Sequence, residues 1–352
     1  MNPTRTILIC SVTCMSIFLI KFAQAQTPDA QFIPQPAIQT DAPYQPQALL
    51  PGGIVVPLYP PDSSFLNKSR IHEAEVYKVQ SGVPGRVVNI TNVHNPSMEV
   101  HTVEKGSNTG AAVILIPGGS NKSLVIAMGG TDFVPYFFRY GVTTIIFRAR
   151  LRADGYDSRI DPVNDTLQAI RLARAHAEEW GIDPLKIGVM GFSAGAEHAS
   201  GAGLLYKKFD AENNAASDPL STVSSRPDFI CLLWPGPSLL SENPDFEVPS
   251  DIAPAFIASA SYGGATSTGW GLDYYSAMLK RGVPNIEAHL YGRGRHGGGL
   301  ADRDGIPFGT WQDRFIDWFR DLGFLGKPGI PTKAAADTQS HVAKQSSRDS
   351  RK

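Results

Sequence analysis

The sequence predicts an α/β fold in which a mostly parallel sheet is flanked by helices on both faces. Three observations indicate it. Short apolar runs of strand length recur along the chain, helical segments separate them, and glycine or proline marks most of the junctions. Strands joined through a helix usually run parallel in one sheet. One domain accounts for this pattern, and we expect it to span residues 69–328.

Apolar runs, several of them rich in β-branched residues, predict the individual strands, and their lengths suit strands buried on both faces. They lie at residues 111–117, 143–147, 186–191, 229–234, 255–259 and 286–291. Residues 75–103 contain two turn signals and are expected to add an antiparallel pair of strands at the N-terminal edge of the sheet.

The helices are predicted from apolar residues that recur every three or four positions. The clearest helix begins at Asp161, an N-cap residue followed by Pro162 at the first helical position, and it ends at Gly181. Other helices are predicted at residues 136–140, in the alanine-rich segment after residue 191, at 274–280 and at 311–322.

The N-terminus has the layout of a signal peptide. Arg5 precedes an apolar run at residues 7–20, and Ala23 and Ala25 suit a cleavage site of small residues. A membrane anchor is the alternative, but the run is short for a membrane span and contains polar residues. We therefore expect residues 1–25 to be removed and the protein to be secreted or periplasmic.

Two further segments are expected to lie outside the folded domain. Residues 26–68 are rich in proline, glutamine and alanine, which predicts an extended and poorly packed arm. Residues 329–352 lack apolar periodicity, which predicts a disordered tail.

Composition excludes several classes of function. The 352 residues carry a formal net charge of −1, which gives no electrostatic reason to expect nucleic acid or an anionic membrane as a partner. Cys10 and Cys14 lie in the expected signal peptide, so the mature chain would keep only Cys231, in an apolar run. An intrachain disulfide and a thiolate metal cluster are therefore not expected, and Cys231 is interpreted as a buried thiol.

Residues 191–195 read Gly-Phe-Ser-Ala-Gly and match the pattern G-x-S-x-G between a predicted strand and a predicted helix. Glycines flank the serine because a strand that turns sharply into a helix leaves no space for side chains there. The turn exposes the Ser193 hydroxyl at the N-terminus of a helix, whose dipole favours developing negative charge. Ser193 is therefore the candidate nucleophile.

A serine nucleophile needs an oxyanion hole and a general base. The backbone N–H of Ala194 is one expected oxyanion donor, and the glycine-rich loop around Gly119 and Ser120 should supply the other. His296 follows the last predicted strand in a glycine-rich segment and is the candidate base. The other histidines lie in predicted strands, helices, turns or the tail.

A metal or dinucleotide site is the competing interpretation. The spacings HExxH and HxxxH are absent, and no G-x-G-x-x-G follows the first strand. We therefore expect no metal and no cofactor.

These residues resemble the α/β-hydrolases, in particular bacterial secreted esterases of the acetyl-xylan-esterase-like or dienelactone-hydrolase-like group. The resemblance covers most of residues 92–325 and rests on the runs NTGAAVILIPGGS, DTLQAIRLARAHAEEWGIDPLKIGVMGFSAGAEHAS, SRPDFICLLWPGP and GVPNIEAHLYGRGRHGGGL. It implies an α/β-hydrolase fold, hydrolysis of carboxylic esters through an acyl-enzyme, and no cofactor. It places the nucleophile at Ser193, the histidine at His296 and the oxyanion loop at residues 118–120.

The chain departs from this family at the third catalytic residue. The family's acid belongs in the loop after the strand APAFIASA, at about Gly264, which cannot supply a carboxylate. The candidates for a relocated acid are Glu242, Asp245, Glu247, Asp251 and Asp273. The alternatives are a Ser–His dyad and a non-catalytic protein that only binds a ligand.

The sequence therefore predicts a secreted serine esterase acting on acylated carbohydrate or plant-derived esters. A weakly active or non-catalytic hydrolase-like binding protein and a serine peptidase are the alternatives. The expected partner is a small-molecule or polysaccharide ester. Neither nucleic acid nor, after removal of the signal peptide, a membrane is expected.

Overall fold

The computed structural model describes residues 42–262, 264–296, 299–300 and 307–350. Within this part of the chain, eight strands form one sheet, and β2 and β3 form a separate pair. The strands are β1 (Ile54–Pro57), β2 (Val76–Val79), β3 (Val87–Thr91), β4 (Ser97–His101), β5 (Ala112–Ile116), β6 (Thr143–Arg148), β7 (Ile187–Phe192), β8 (Ile230–Leu233), β9 (Ala255–Tyr262) and β10 (Glu287–Arg293).

The order of the main sheet is β1-β4-β6-β5-β7-β8-β9-β10. From β6 to β10 all neighbouring strands are parallel, whereas β4 is antiparallel to both β1 and β6. The predicted fold class is confirmed. The carboxyl ends of the parallel strands lie along one edge, which is where ligands bind in sheets of this kind.

Helices cover both faces of the sheet. They are α1 (Val134–Phe138), α2 (Asp161–Ala175), α3 (Ala194–Glu212), α4 (Leu239–Glu242), α5 (Ala265–Lys280), α6 (Trp311–Asp321) and α7 (Lys333–Asp349). Successive residues of β5 enter different cores: Ile114 packs with Leu167 of α2, and Leu115 packs in the cluster that contains Phe315 of α6. Successive residues of a strand point to opposite faces of the sheet. A strand that is covered on both faces therefore has an unbroken run of apolar residues.

The N-terminal segment is more ordered than the sequence predicts. The expected signal peptide lies outside the described residues, but from residue 42 onward the chain packs on the domain. Tyr44 and Leu58 are buried, and β1 adds an antiparallel strand beside β4. The expected extended arm is therefore wrong over residues 42–68, since scattered apolar side chains without periodicity still find a core to pack against.

The antiparallel strands at the front differ in detail from the prediction. β2 and β3 pair with each other, as expected of residues 75–103, but outside the main sheet. β4, from the same segment, instead joins the main sheet between β1 and β6.

The C-terminal segment is helical where a disordered tail was expected. The Thr332 hydroxyl caps α7 by accepting a hydrogen bond from the Ala335 N–H at 3.1 Å. Asn285 donates to Asp337 at 2.9 Å, and Ala334 is buried. The helix has few apolar residues, so its docking depends on caps and polar contacts that apolar periodicity does not reveal.

A buried cluster of charges connects the N-terminal segment to the sheet. Arg148 at the end of β6 is fully buried and pairs with Glu99 at 2.8 Å and Glu75 at 3.1 Å. Glu99 also accepts hydrogen bonds from the Leu49 N–H at 2.7 Å and from His101 at 2.9 Å. Burial opposes ionisation of Glu99, but these hydrogen bonds and the Arg148 charge hold its pKa below the usual value.

Within the described ranges, no helix combines the length and the apolar character that crossing a bilayer requires.

Candidate active site

The nucleophile candidate lies on a sharp turn between β7 and α3. Ser193 has φ 53° and ψ −118°, a strained conformation for a residue with a side chain. A Cβ atom on Gly191 would lie 2.3 Å from the Gly195 carbonyl oxygen, and one on Gly195 would lie 2.1 Å from the Ile116 carbonyl oxygen. The flanking glycines therefore allow the backbone to approach closely enough to present the serine hydroxyl.

His296 follows β10 and meets this serine. Its Nε2 lies 3.0 Å from Ser193 Oγ, a hydrogen-bond distance between residues 103 positions apart. Part of the imidazole reaches solvent, but its packed side is shielded, and this partial burial lowers the pKa of His296. A neutral imidazole beside a serine hydroxyl is poised to accept its proton.

The glycine-rich loop after β5 lies against the nucleophile. A Cβ on Gly118 would be 3.0 Å from Ser193 Cβ, so this close approach requires glycine. Gly119 and Ser120 have φ values of 137° and 57°, and the N–H groups of Lys122 and Ser123 donate to the Gly119 carbonyl, which holds the turn in this shape. Ala194 opens α3, and the first N–H groups of a helix have no partner within it.

Two cavities meet at Ser193 and His296. The larger, about 380 Å³, has both polar and apolar lining residues. Its side chains include Asn121, Arg152, Glu197, Glu242 and Trp270. The smaller, about 190 Å³, is lined mainly by Val125, Met128, Phe192 and backbone of glycines 118, 119, 129 and 299. The site thus combines a small apolar cavity with a larger and more polar one.

Glu197 is a site residue that the sequence analysis missed. It lies one helical turn after Ser193 and accepts a hydrogen bond from Asn121 Nδ2 at 3.3 Å. Burial raises the pKa of Glu197 to about 7, against weaker opposing effects of Asn121 and Arg152. A glutamate four positions after a nucleophile is a visible signal, but its burial follows only from the cavity around it.

The raised pKa of Glu197 predicts a pH-dependent gain in stability for Glu197→Gln. Unfolded glutamate ionises near pH 4.5, so between about pH 4.5 and 7 the folded state loses stability as pH rises, because its carboxyl resists ionisation. We expect Glu197→Gln to be more stable than the wild type by on the order of 1–3 kcal/mol at about pH 8 and equally stable below about pH 4.5. Urea unfolding at the two pH values measures this difference.

Glu212→Gln, on the exposed end of the same helix, is the matched control. It is expected to change the free energy of unfolding little at either pH. A Glu197→Gln variant that is less stable than the wild type at about pH 8 would contradict the burial of an ionised carboxylate.

None of the five candidates for a relocated acid, all of them described residues, forms a hydrogen bond or ion pair with His296. Asp251 accepts hydrogen bonds from Tyr206 and Lys207, and Asp245 and Glu247 line a cavity with His341. Glu242 lines the larger cavity, where it pairs with Arg159, and Asp273 is exposed on α5. Among the described residues no carboxylate is bonded to His296.

Neither His198 nor Cys231 carries chemistry in the structure. His198 is buried, and burial alone lowers its pKa to about 3, which makes it a neutral packing residue. Cys231 is a buried free thiol. Trp270 on α5 lines the larger cavity, whereas Tyr262 at the end of β9 is 76 % exposed. No group of three or more potential metal ligands occurs within the described ranges.

Comparison with known proteins identifies similar hydrolases. The BD-FAE family profile matches residues 98–232, which include the glycine-rich loop after β5 and Ser193. An acetylxylan esterase from Xylanibacter ruminicola is 28% identical over an alignment of 228 residues, which covers 61% of this chain and 45% of that protein. The chain thus spans about half the length of this curated relative.

Solved structures share the fold. An acetyl ester-xyloside bifunctional hydrolase from Caldicellulosiruptor lactoaceticus is 26% identical with a TM-score of 0.63, covering 80% of this chain and 100% of that one. An esterase from Thermogutta terrifontis is 22% identical with a TM-score of 0.53, covering 68% and 91% of the two chains, and it supports the fold alone.

The sheet order, the turn that presents Ser193 and these relationships agree with one another. The chain has an α/β-hydrolase fold, its residues 98–232 match the BD-FAE family model, and it is similar in sequence to an acetylxylan esterase.

Proposed function

We propose that this protein is a serine hydrolase of carboxylic esters that acts through an acyl-enzyme. The hydrogen bond between Ser193 Oγ and His296 Nε2 at 3.0 Å, on a strained turn beside a glycine-rich loop, is the observation that carries the proposal. The esterases among the relatives support the same reaction class.

The reaction needs only groups present at this site. Ser193 Oγ attacks the ester carbonyl carbon while its proton passes to His296 Nε2. The oxyanion accepts hydrogen bonds from the N–H of Ala194 and from the loop at Gly119 and Ser120. The proton then moves to the leaving alcohol as the C–O bond breaks, and water, activated by His296, hydrolyses the acyl-enzyme.

The two cavities suggest the substrate class. The small apolar cavity of about 190 Å³ suits a short acyl group. The larger and more polar cavity suits a hydroxyl-rich alcohol, with Trp270 offering an apolar face to a sugar ring. The curated relative is an acetylxylan esterase. We therefore propose an acylated carbohydrate or related plant-derived ester as the substrate.

Chromogenic acetate, butyrate and octanoate esters test the reaction class. We expect hydrolysis of acetate and butyrate to exceed that of octanoate, and Ser193→Ala to lower kcat/KM by on the order of 10⁴-fold or more. The control is Ser200→Ala, which replaces a buried serine on α3 and is expected to keep wild-type activity. Equal background rates for the wild type and Ser193→Ala would indicate a hydrolase-like binding protein, and aminopeptidase activity without esterase activity would indicate a peptidase.

We also propose that the protein is secreted or periplasmic. The apolar run after Arg5 and the small residues at Ala23 and Ala25 support export. The expected N-terminus of the exported protein is Gln26, and N-terminal sequencing checks it. A membrane-bound product that still carries residues 1–25 would contradict cleavage.

A further inference from the structure

A buried indole lies beside the catalytic histidine. Trp234 directly follows β8, is 1% exposed, and has its ring centroid 6.0 Å from that of His296. Phe308 packs against the indole at a centroid distance of 4.0 Å. Among the described residues, the imidazole therefore has an indole beside it and no carboxylate bonded to it.

The same indole fills the place in which the sequence resemblance expects an acid. A Cβ atom on Gly264 would lie 3.0 Å from Trp234 Cδ1 and 3.2 Å from Trp234 Nε1. It would also lie 2.9 Å from the Ala260 carbonyl oxygen. A carboxylate side chain at position 264 would require the indole to move. Glycine at this position therefore leaves the space that the Trp234 side chain occupies.

Keeping the indole in this place costs free energy. Trp234 has φ 44°, a left-handed conformation that bulky residues rarely adopt. Its Nε1 is buried with no hydrogen-bond partner in the described ranges. Backbone strain and unsatisfied buried donors persist where the surrounding structure imposes them, and they concentrate at functional sites.

We propose that Trp234 is the positioning residue of His296 and replaces the carboxylate that orients the histidine in a catalytic triad. The indole limits rotation of the imidazole by packing, keeps Nε2 directed at Ser193 Oγ and shields one side of the ring from water. This inference rests on the proposed ester hydrolysis, and it makes the active pair a Ser–His dyad with an aromatic support.

Packing and a carboxylate have different consequences for the histidine. A carboxylate raises the pKa of an adjacent imidazole, whereas an apolar wall lowers it. Burial alone accounts for the lowered pKa of His296. The ionisable side chains that line the larger cavity with His296 are Arg152, Arg159, Glu197 and Glu242, and Arg159 and Glu242 pair with each other. Arg293 and Arg295 lie on its own segment.

Substitutions of Trp234 separate positioning from folding. Trp234→Phe keeps an aromatic ring beside the imidazole and is expected to retain kcat within about 3-fold of the wild-type value. Trp234→Leu is expected to lower kcat by about 10- to 100-fold and to change KM little, because a misplaced general base slows the chemical step. The acid limb of the pH–rate profile should move upward in Trp234→Leu as water reaches the imidazole, and stay in place in Trp234→Phe.

Trp180→Leu is the matched control. Trp180 is also buried, stacks on His176 with ring centroids 4.8 Å apart, and has an Nε1 without a hydrogen-bond partner among the described residues. It follows α2 and lines neither of the two cavities at Ser193. We expect it to lower stability without moving the acid limb. NMR titration of the His296 imidazole in the same variants gives a readout that does not require hydrolysis.

Two outcomes overturn the inference. An unchanged kcat and an unchanged His296 titration in folded Trp234→Leu would make the indole merely structural. A rise in kcat of about 10-fold or more in Gly264→Asp would show that a carboxylate fits beside the indole. A wild type without Ser193-dependent hydrolysis would refute the proposed function, while the His296 titration would still report whether Trp234 shields the ring.

Discussion

Replacing both Ser193 and His296 by alanine is expected to lower kcat/KM no further than replacing Ser193 alone. Their side chains share one hydrogen bond at 3.0 Å, and in the proposed reaction they act on the same proton, so each single substitution should remove most of the effect of the pair. We expect losses on the order of 10⁴-fold or more for Ser193→Ala, for His296→Ala and for the double variant with chromogenic acetate.

The control for the histidine is His289→Ala. His289 lies on β10, seven positions before His296, and bonds to Glu287. The His289→Ala variant should retain kcat/KM within a few-fold of the wild-type value. Losses that multiply in the double variant would show that the two side chains act separately, and an active His296→Ala variant would place the base elsewhere.

The lowered pKa of His296 also predicts how kcat/KM of the wild type depends on pH. Because burial lowers the pKa of His296, the base stays neutral to a pH below 6.5, and kcat/KM should fall only as pH drops through that lowered pKa.

Arg148→Met is expected to give the largest loss of stability. Arg148 is fully buried and compensates Glu75 and Glu99, which are also buried. Methionine fills a similar volume but leaves two carboxylates without a cation, which should lower the free energy of unfolding by about 3–5 kcal/mol. Urea unfolding near neutral pH measures the loss, and kcat of the folded fraction should stay close to that of the wild type.

Arg314→Met is the surface control. Arg314 pairs with Asp317 at 3.5 Å on α6, with both side chains about half exposed. Exposed pairs of this kind contribute about 0–1 kcal/mol. If Arg148→Met were no more destabilising than this control, the buried cluster would not hold the N-terminal segment on the sheet.

Much of the fold and the core of the site follow from local sequence. Apolar runs predict β5 to β9 because strands covered on both faces are apolar at most positions. The G-x-S-x-G turn is predictable because its glycines meet atoms of the same short segment and of the adjacent strand. The position of His296 after the last strand follows from chain order in this fold.

The missed features depend on contacts between distant segments. The tail at α7 is helical because Asn285 and a capping threonine hold it, and neither contact leaves an apolar period. Glu197 has a pKa of about 7 because a cavity wall shields it, although its sequence looks like an ordinary helix surface.

The third catalytic position shows most clearly the difference between what the sequence predicts and what only the tertiary structure decides. From residue order alone, a serine and a histidine of an α/β-hydrolase are recognisable, and so is the lack of a carboxylate at Gly264. What stands there instead became visible in three dimensions, where Trp234, 30 positions earlier, reaches the space beside Gly264 and His296. The steric requirements of a short turn can be recognised from adjacent residues. Which side chain fills a space between strand ends depends instead on how the whole sheet packs.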